Sequence, residues 1–185
     1  MMRRSLSILA ASCFLVASSL QALAHDPNAS PLSKVSQRIG PAEVSVEYSS
    51  PGVKNRKVWG ELVPLGKIWR TGANASTKIS FSKDVSVAGS LVKAGTYSLM
   101  TIPGASGWTV ILNRNTAIRG DMSNYKTGED AARVAAAATK VPHRERMTFI
   151  FSDATEESVA LDLEWETLRV RIPFSLAVRA AGSTP

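Results

Sequence analysis

From Val159 to Trp165 every second residue is large and apolar, and the residues between, Ala160, Asp162 and Glu164, are small or charged. Leu168, Val170, Ile172 and Phe174 repeat the pattern against Arg169 and Arg171. So do Ala42, Val44, Val46 and Tyr48, and again Thr77, Ile79 and Phe81. A period of two sets alternate side chains on opposite faces of a strand, with one face buried. Shorter extended runs lie at Val35–Ile39, Val85–Val87 (continuing through Ala88-Gly89 to Leu91), Thr96–Ile102, Trp108–Leu112 and Met147–Phe151. Turn residues separate them: Gly40-Pro41, Pro103 to Gly107, Asp153 to Glu157. Eight or so short strands punctuated in this way predict an all-β fold, a single antiparallel β-sandwich of Greek-key or jelly-roll type.

The amino terminus carries a different message. Arg3-Arg4, an apolar stretch from Leu6 to Leu20 and Ala22-Leu23-Ala24 are the three parts of a signal peptide, with cleavage expected between Ala24 and His25. The apolar run is short and serine-rich for a membrane span. Export would make the protein periplasmic or secreted. The single cysteine, Cys13, would leave with the signal, so the mature chain would have no disulfide, thiol nucleophile or cysteine-ligated metal. Without Arg3 and Arg4 there remain 20 basic against 15 acidic residues, a formal charge of +5. The cations are dispersed except at Lys54-Asn55-Arg56-Lys57 and His143-Arg144-Glu145-Arg146. Nucleic acid is not an expected partner of an exported chain, whereas anionic glycans or membrane surfaces are compatible with it. No transmembrane helix is expected in the mature chain. Residues 25–33 read as a flexible lead-in, 34–175 as the β-domain and 176–185 as a tail.

Two segments stand apart from the strand pattern. LVKAGTYSL, Leu91 to Leu99, has the arrangement of a Greek-key corner, which assigns Tyr97 to the fold. Asp130 to Ala138 favours helix by composition, with Thr127 and Asp130 spaced like a capping box.

Chemistry has few places to sit. Neither G-x-S-x-G nor H-E-x-x-H occurs. The 28 residues between Tyr48 and Thr77 lack strand character, and ordered loops of that length are often functional. Within them Trp59, Trp69, Arg70 and Asn74 are the candidate ligand-binding residues: indole faces stack on sugars and a guanidinium clamps carboxylates. The alternative is structural, with the tryptophans closing an end of the domain and Arg70 satisfying buried acceptors. Catalytic residues are not identifiable. A hydrolase acting on a glycan or envelope polymer through Asp/Glu chemistry is the second functional reading, since such pairs meet only in space. A third is a copper site built on the new amino-terminal His25 with His143. No other cofactor is expected, and the first reading is a non-catalytic binding module for a glycan, small molecule or envelope protein.

The stretches SPLSKVSQRIG, VSVEYSSPGVKNRKVWGELVPLGKIWRTGANASTKISFSKDVSVAG, LVKAGTYSLMTIPG and GWTVILN resemble the bacterial domain of unknown function 2911 family. The similarity spans roughly Ser30 to Asn113 and continues loosely to Phe174. It implies an exported, β-rich domain and transfers no catalytic residue. It also implies that EDAARVAAAATKVP, which stands where relatives carry a valine-rich extended run, is a strand from Ala131 to Ala138. Arg119-Gly120 stands where many relatives carry Trp-Gly.

Overall fold

The structure is a computed structural model that describes residues 30–118 and 120–177. The signal segment with its cleavage site, His25, Arg119 and all but the start of the predicted tail lie outside the described residues.

The alternation becomes nine strands: β1 (Leu32–Ile39), β2 (Ala42–Ser49), β3 (Thr77–Phe81), β4 (Val85–Val87), β5 (Ser90–Val92), β6 (Gly95–Ile102), β7 (Trp108–Asn113), β8 (Asp130–Ser152) and β9 (Ser158–Leu176). They form one sheet in the order β1-β2-β3-β6-β7-β8-β9-β4-β5, antiparallel throughout. β1 begins at Leu32, two residues inside the expected lead-in. The fold is all-β, as the period-two pattern requires.

Two long strands fold the sheet over. β8 pairs with β7 along its first part, Asp130 to Ala136, and with β9 from Ala137 onward. Its register against β9 slips twice, between Lys140 and Arg144 and between Arg144 and Thr148. β9 joins what the sequence suggests are two strands. The inward phase skips from Trp165 to Leu168 because Glu166 takes a left-handed backbone, φ 55°. This change of phase keeps both apolar runs on the core side, and the residues in excess at the two slips lie on β8. The chain after β2 also closes this end by pairing with β8: Met147 N–H donates to Pro51 O at 2.9 Å and Val53 N–H to Glu145 O at 2.8 Å. Hydrogen bonding across the turn is completed by Ser50 Oγ donating to Met147 O.

Ala131 to Ala138 is a strand despite its composition. Ala132, Val134 and Ala136 are buried and alternate with exposed residues, and Ala136 lies opposite Trp108 in the ladder. A small side chain there leaves room for the indole. The apparent capping box starts only one 3-10 turn, Thr127–Glu129. Tertiary pairing overrides a weak local preference.

β6 and β7 are buried on both faces, which explains their weak alternation. Leu99, Val110 and Leu112 face the main core. Met100 and Ile111 pack with Ile118 beneath the connection from Arg114 to Glu129. Asn113, fully buried, holds that connection: its Nδ2 donates to Lys126 O and Asp130 Oδ1, and its Oδ1 accepts from Asn115 N–H.

Tyr97 completes the predicted corner, its hydroxyl donating to Lys93 O at 2.8 Å. A Cβ on Gly95, whose φ is +146°, would stand 3.7 Å from the ring. Tyr97→Phe is expected to lower stability by about 1 kcal/mol, the net worth of one hydrogen bond. Urea unfolding checks this, and an unchanged midpoint would remove the corner from the fold's support.

Candidate functional site

The 51–76 connection has no strand of its own, and isolated bridges fix it to the sheet. Trp69 N–H donates to Thr101 O at 2.8 Å and Thr101 N–H returns to Trp69 O at 3.0 Å. Trp59 bridges Val63, and Gly66 N–H reaches Pro103 O. Thr71 and Thr77, both fully buried, tie the return to β3 through Thr77 Oγ1 donating to Thr71 O at 2.6 Å.

These anchors bring all four tryptophans of the chain together. Trp69 stacks on Trp165 with ring centroids 5.8 Å apart and planes 19° from parallel. Trp59 meets Trp69, Trp108 and Trp165 edge-on at 6.0, 5.0 and 5.7 Å. Edge-to-face and offset contacts are the favoured aromatic geometries. Trp108 and Trp165 are buried, and Trp59 and Trp69 are half-buried over them.

A cleft of about 220 Å³ opens beside this cluster, lined by Trp69 and Trp165, by Pro51, Leu62 and Val63, and by Lys54, Arg56 and Arg70. Arg56 holds its own turn, Nε donating to Val53 O and Nη2 to Gly52 O. Arg70 Nη1 donates to Gly120 O at 3.1 Å, tying the tryptophan connection to the loop that covers Met100 and Ile111. A Cβ on residue 120 would stand 3.2 Å from that nitrogen, so glycine permits the approach.

Of the four residues singled out by sequence, Trp69 and Arg70 line the cleft. Trp59 packs behind them in the cluster. Asn74 is exposed and donates to Ser49 Oγ at 3.3 Å. Sequence spacing gave no hint of Trp165, which arrives from the far end of the chain, while Lys54 and Arg56 belong to the one basic run near it.

The carboxylates on the far side of β9 are not solvated, contrary to the simple alternation. Asp162 and Glu164 are buried under a roof of arginines. Arg171 takes Asp162 with both Nε (2.9 Å) and Nη2 (3.0 Å), and Ser152 Oγ donates to the same carboxylate at 2.7 Å. Arg144 and Arg169 hold the two oxygens of Glu164, each at 2.7 Å. Burial pushes the Asp162 carboxyl up, but the Arg171 and Ser152 hydrogen bonds and the charges of Arg171 and Arg169 outweigh it, and the net shift is downward. A carboxyl held ionised in this way is a poor general acid.

A second, wider concavity of about 620 Å³ follows the bulged part of β8, with His143 exposed on it. His143 Nε2 lies 3.7 Å from Glu145 Oε2. Among the described residues no group of three or more His, Cys, Asp or Glu side chains is placed to hold a metal. No helix among the described residues is long and apolar enough to cross a membrane.

Residues 30–174 match the family described as protein of unknown function DUF2911. The chain belongs to the DUF2911 family. No curated protein and no solved structure shows significant similarity to it. The match covers eight strands whole, β9 up to Phe174 and every residue that lines the tryptophan cleft, and it brings no assigned chemistry.

Proposed function

We propose that this DUF2911 protein is an exported, non-catalytic binding domain whose site is the cleft beside Trp69 and Trp165. One observation carries the reading: a long connection is bolted to the sheet at several points, and it presents an aromatic wall and three cationic side chains around one concavity. Apolar walls with a few placed polar groups are the usual make-up of a small-molecule site. The signal pattern of residues 1–24 supports delivery to the periplasm or beyond, with an envelope or extracellular ligand. The hydrolase reading has less support, because both buried carboxylates of β9 are engaged by arginine. The copper reading rests on His25, which lies outside the described residues, while His143 stands beside Glu145.

Native mass spectrometry of protein isolated from the cell envelope tests the proposal. The expected result is a chain beginning at His25 that carries a small molecule released on denaturation. A chain that retains Met1, or one isolated without any released molecule, contradicts it.

A further inference from the structure

Among the described residues the large apolar side chains left exposed are Leu32, Leu62, Leu65 and Leu91. Leu32 and Leu91 stand singly on β1 and β5, the two outermost strands of the sheet. Isolated exposed leucines of that kind need no explanation. Leu62 and Leu65 differ, because they share one turn, with exposed Pro64 between them. Backbone bonds fix that turn: Leu62 N–H donates to Lys57 O at 3.2 Å, Val63 N–H to Val58 O at 2.8 Å and Gly66 N–H to Pro103 O at 2.8 Å. Gly60 and Gly66 close it at either end with left-handed φ values of 88° and 70°. Val63 is the residue that goes inward, 2% exposed, whereas Leu62 and Leu65 on either side of it are 42% and 49% exposed. An ordered backbone therefore holds the two leucines in water. The charge around them has one dominant sign. The 51–76 connection carries Lys54, Arg56, Lys57, Lys67 and Arg70 against Glu61 alone, a formal +4. The chain without its signal arginines carries +5, so nearly the whole excess sits here. Glu61 is matched by Lys57 at 3.0 Å, and Arg56 and Lys67, one before the turn and one after it, are both exposed.

We infer that the 60–66 turn seats the protein on the surface of an anionic phospholipid bilayer. Leu62 and Leu65 enter the boundary between headgroups and acyl chains, and Arg56 and Lys67 meet the lipid phosphates. Attachment at a membrane interface needs this pairing, with apolar side chains to bury and cations to face acidic headgroups. An anionic glycan would reward the cations and leave the leucines in water. A specific protein partner asks for roughly 800 Å² of matched surface from each side, of which two half-exposed leucines supply a small part. A bilayer asks for no matched shape. Leu65 and Lys67 lie outside the lining of the tryptophan cleft, so seating on lipid is separable from ligand binding there.

Co-sedimentation of the mature protein with vesicles of mixed phosphatidylglycerol and phosphatidylcholine, compared with vesicles of phosphatidylcholine alone, tests the assignment. Binding is expected to be at least tenfold tighter to the anionic vesicles and to weaken as salt is raised, because screening shortens the reach of the headgroup charge. Lys67→Gln should weaken it about fivefold, the usual worth of one cation near such a surface. Leu65→Ser should weaken it severalfold, and Leu62→Ser combined with Leu65→Ser at least tenfold. Lys67→Gln, at an exposed position, carries the test where a serine variant fails to fold. Full binding by the double serine variant would put the cations alone to work and overturn the bilayer seat. So would equal binding to the two kinds of vesicle, or none to either. A photo-crosslinker at position 65 that marks an envelope protein, while vesicles are ignored, would assign the turn to a protein partner instead.

Discussion

Replacing Trp165 by alanine is expected to cost roughly 3–5 kcal/mol, the range found when a large aromatic is truncated in a packed core. Trp165 is 1% exposed and touches two other indoles, stacked on Trp69 and edge-on to Trp59. Its removal leaves a cavity that the surrounding sheet cannot collapse into, because Trp69 is pinned to β6 by two backbone bonds. A loss of this size is a large part of the ~5–15 kcal/mol that holds an ordinary domain folded. Urea unfolding with a shared slope measures it, and the emission of the remaining tryptophans should shift to the red as water enters. A loss below about 1 kcal/mol would mean that the tryptophan cluster is peripheral to the fold and that its role is confined to the cleft. Trp165→Phe retains the ring and should recover more than half of the loss, which separates packing from the indole N–H.

The strands were legible because burial of one face writes itself into a period of two. Ala42 to Tyr48, Thr77 to Phe81 and Val159 to Trp165 obey it without exception, and each forms a strand. The pattern misled where a second layer covers the outer face. Asp162 and Glu164 occupy positions that look solvent-facing, yet Arg169 and Arg171, further along β9, and Arg144, on the neighbouring β8, fold over them. Nothing in spacing along the chain distinguishes a wet carboxylate from a roofed one. Likewise, Trp69-Arg70 was visible as an odd pair in a long connection. Its partners Trp165 and Gly120 are set by topology, 96 and 50 residues away along the chain. In answer to the alternative posed by the sequence, Arg70 is an anchor through Nη1.

The arginine roof gives the second large effect. Arg171→Met is expected to destabilise the protein by about 2–4 kcal/mol at neutral pH. Breaking a buried pair by removing one partner costs roughly 3–5 kcal/mol, because an unpaired charge stays behind. Here the figure is reduced, since the Arg171 side chain is 42% exposed and Arg169 remains 3.9 Å from Asp162. Asp162→Leu in the same background removes the stranded charge and should restore most of the loss, as apolar replacement of a buried pair often does. Acidity supplies a further check with a definite sign. In the native protein Asp162 is shifted downward, so its contribution is complete above the usual carboxyl value of 3.8 and is lost as pH falls through the lowered value. In Arg171→Met, burial is opposed chiefly by Ser152 and Arg169, and the carboxyl moves upward, which makes the charged form a liability at neutral pH. The difference between native protein and variant should therefore narrow as pH is lowered from 7 toward 3. Urea midpoints across that range decide it: a difference that stays constant assigns the effect of Arg171 to packing of its stem, with no part for the charge on Asp162.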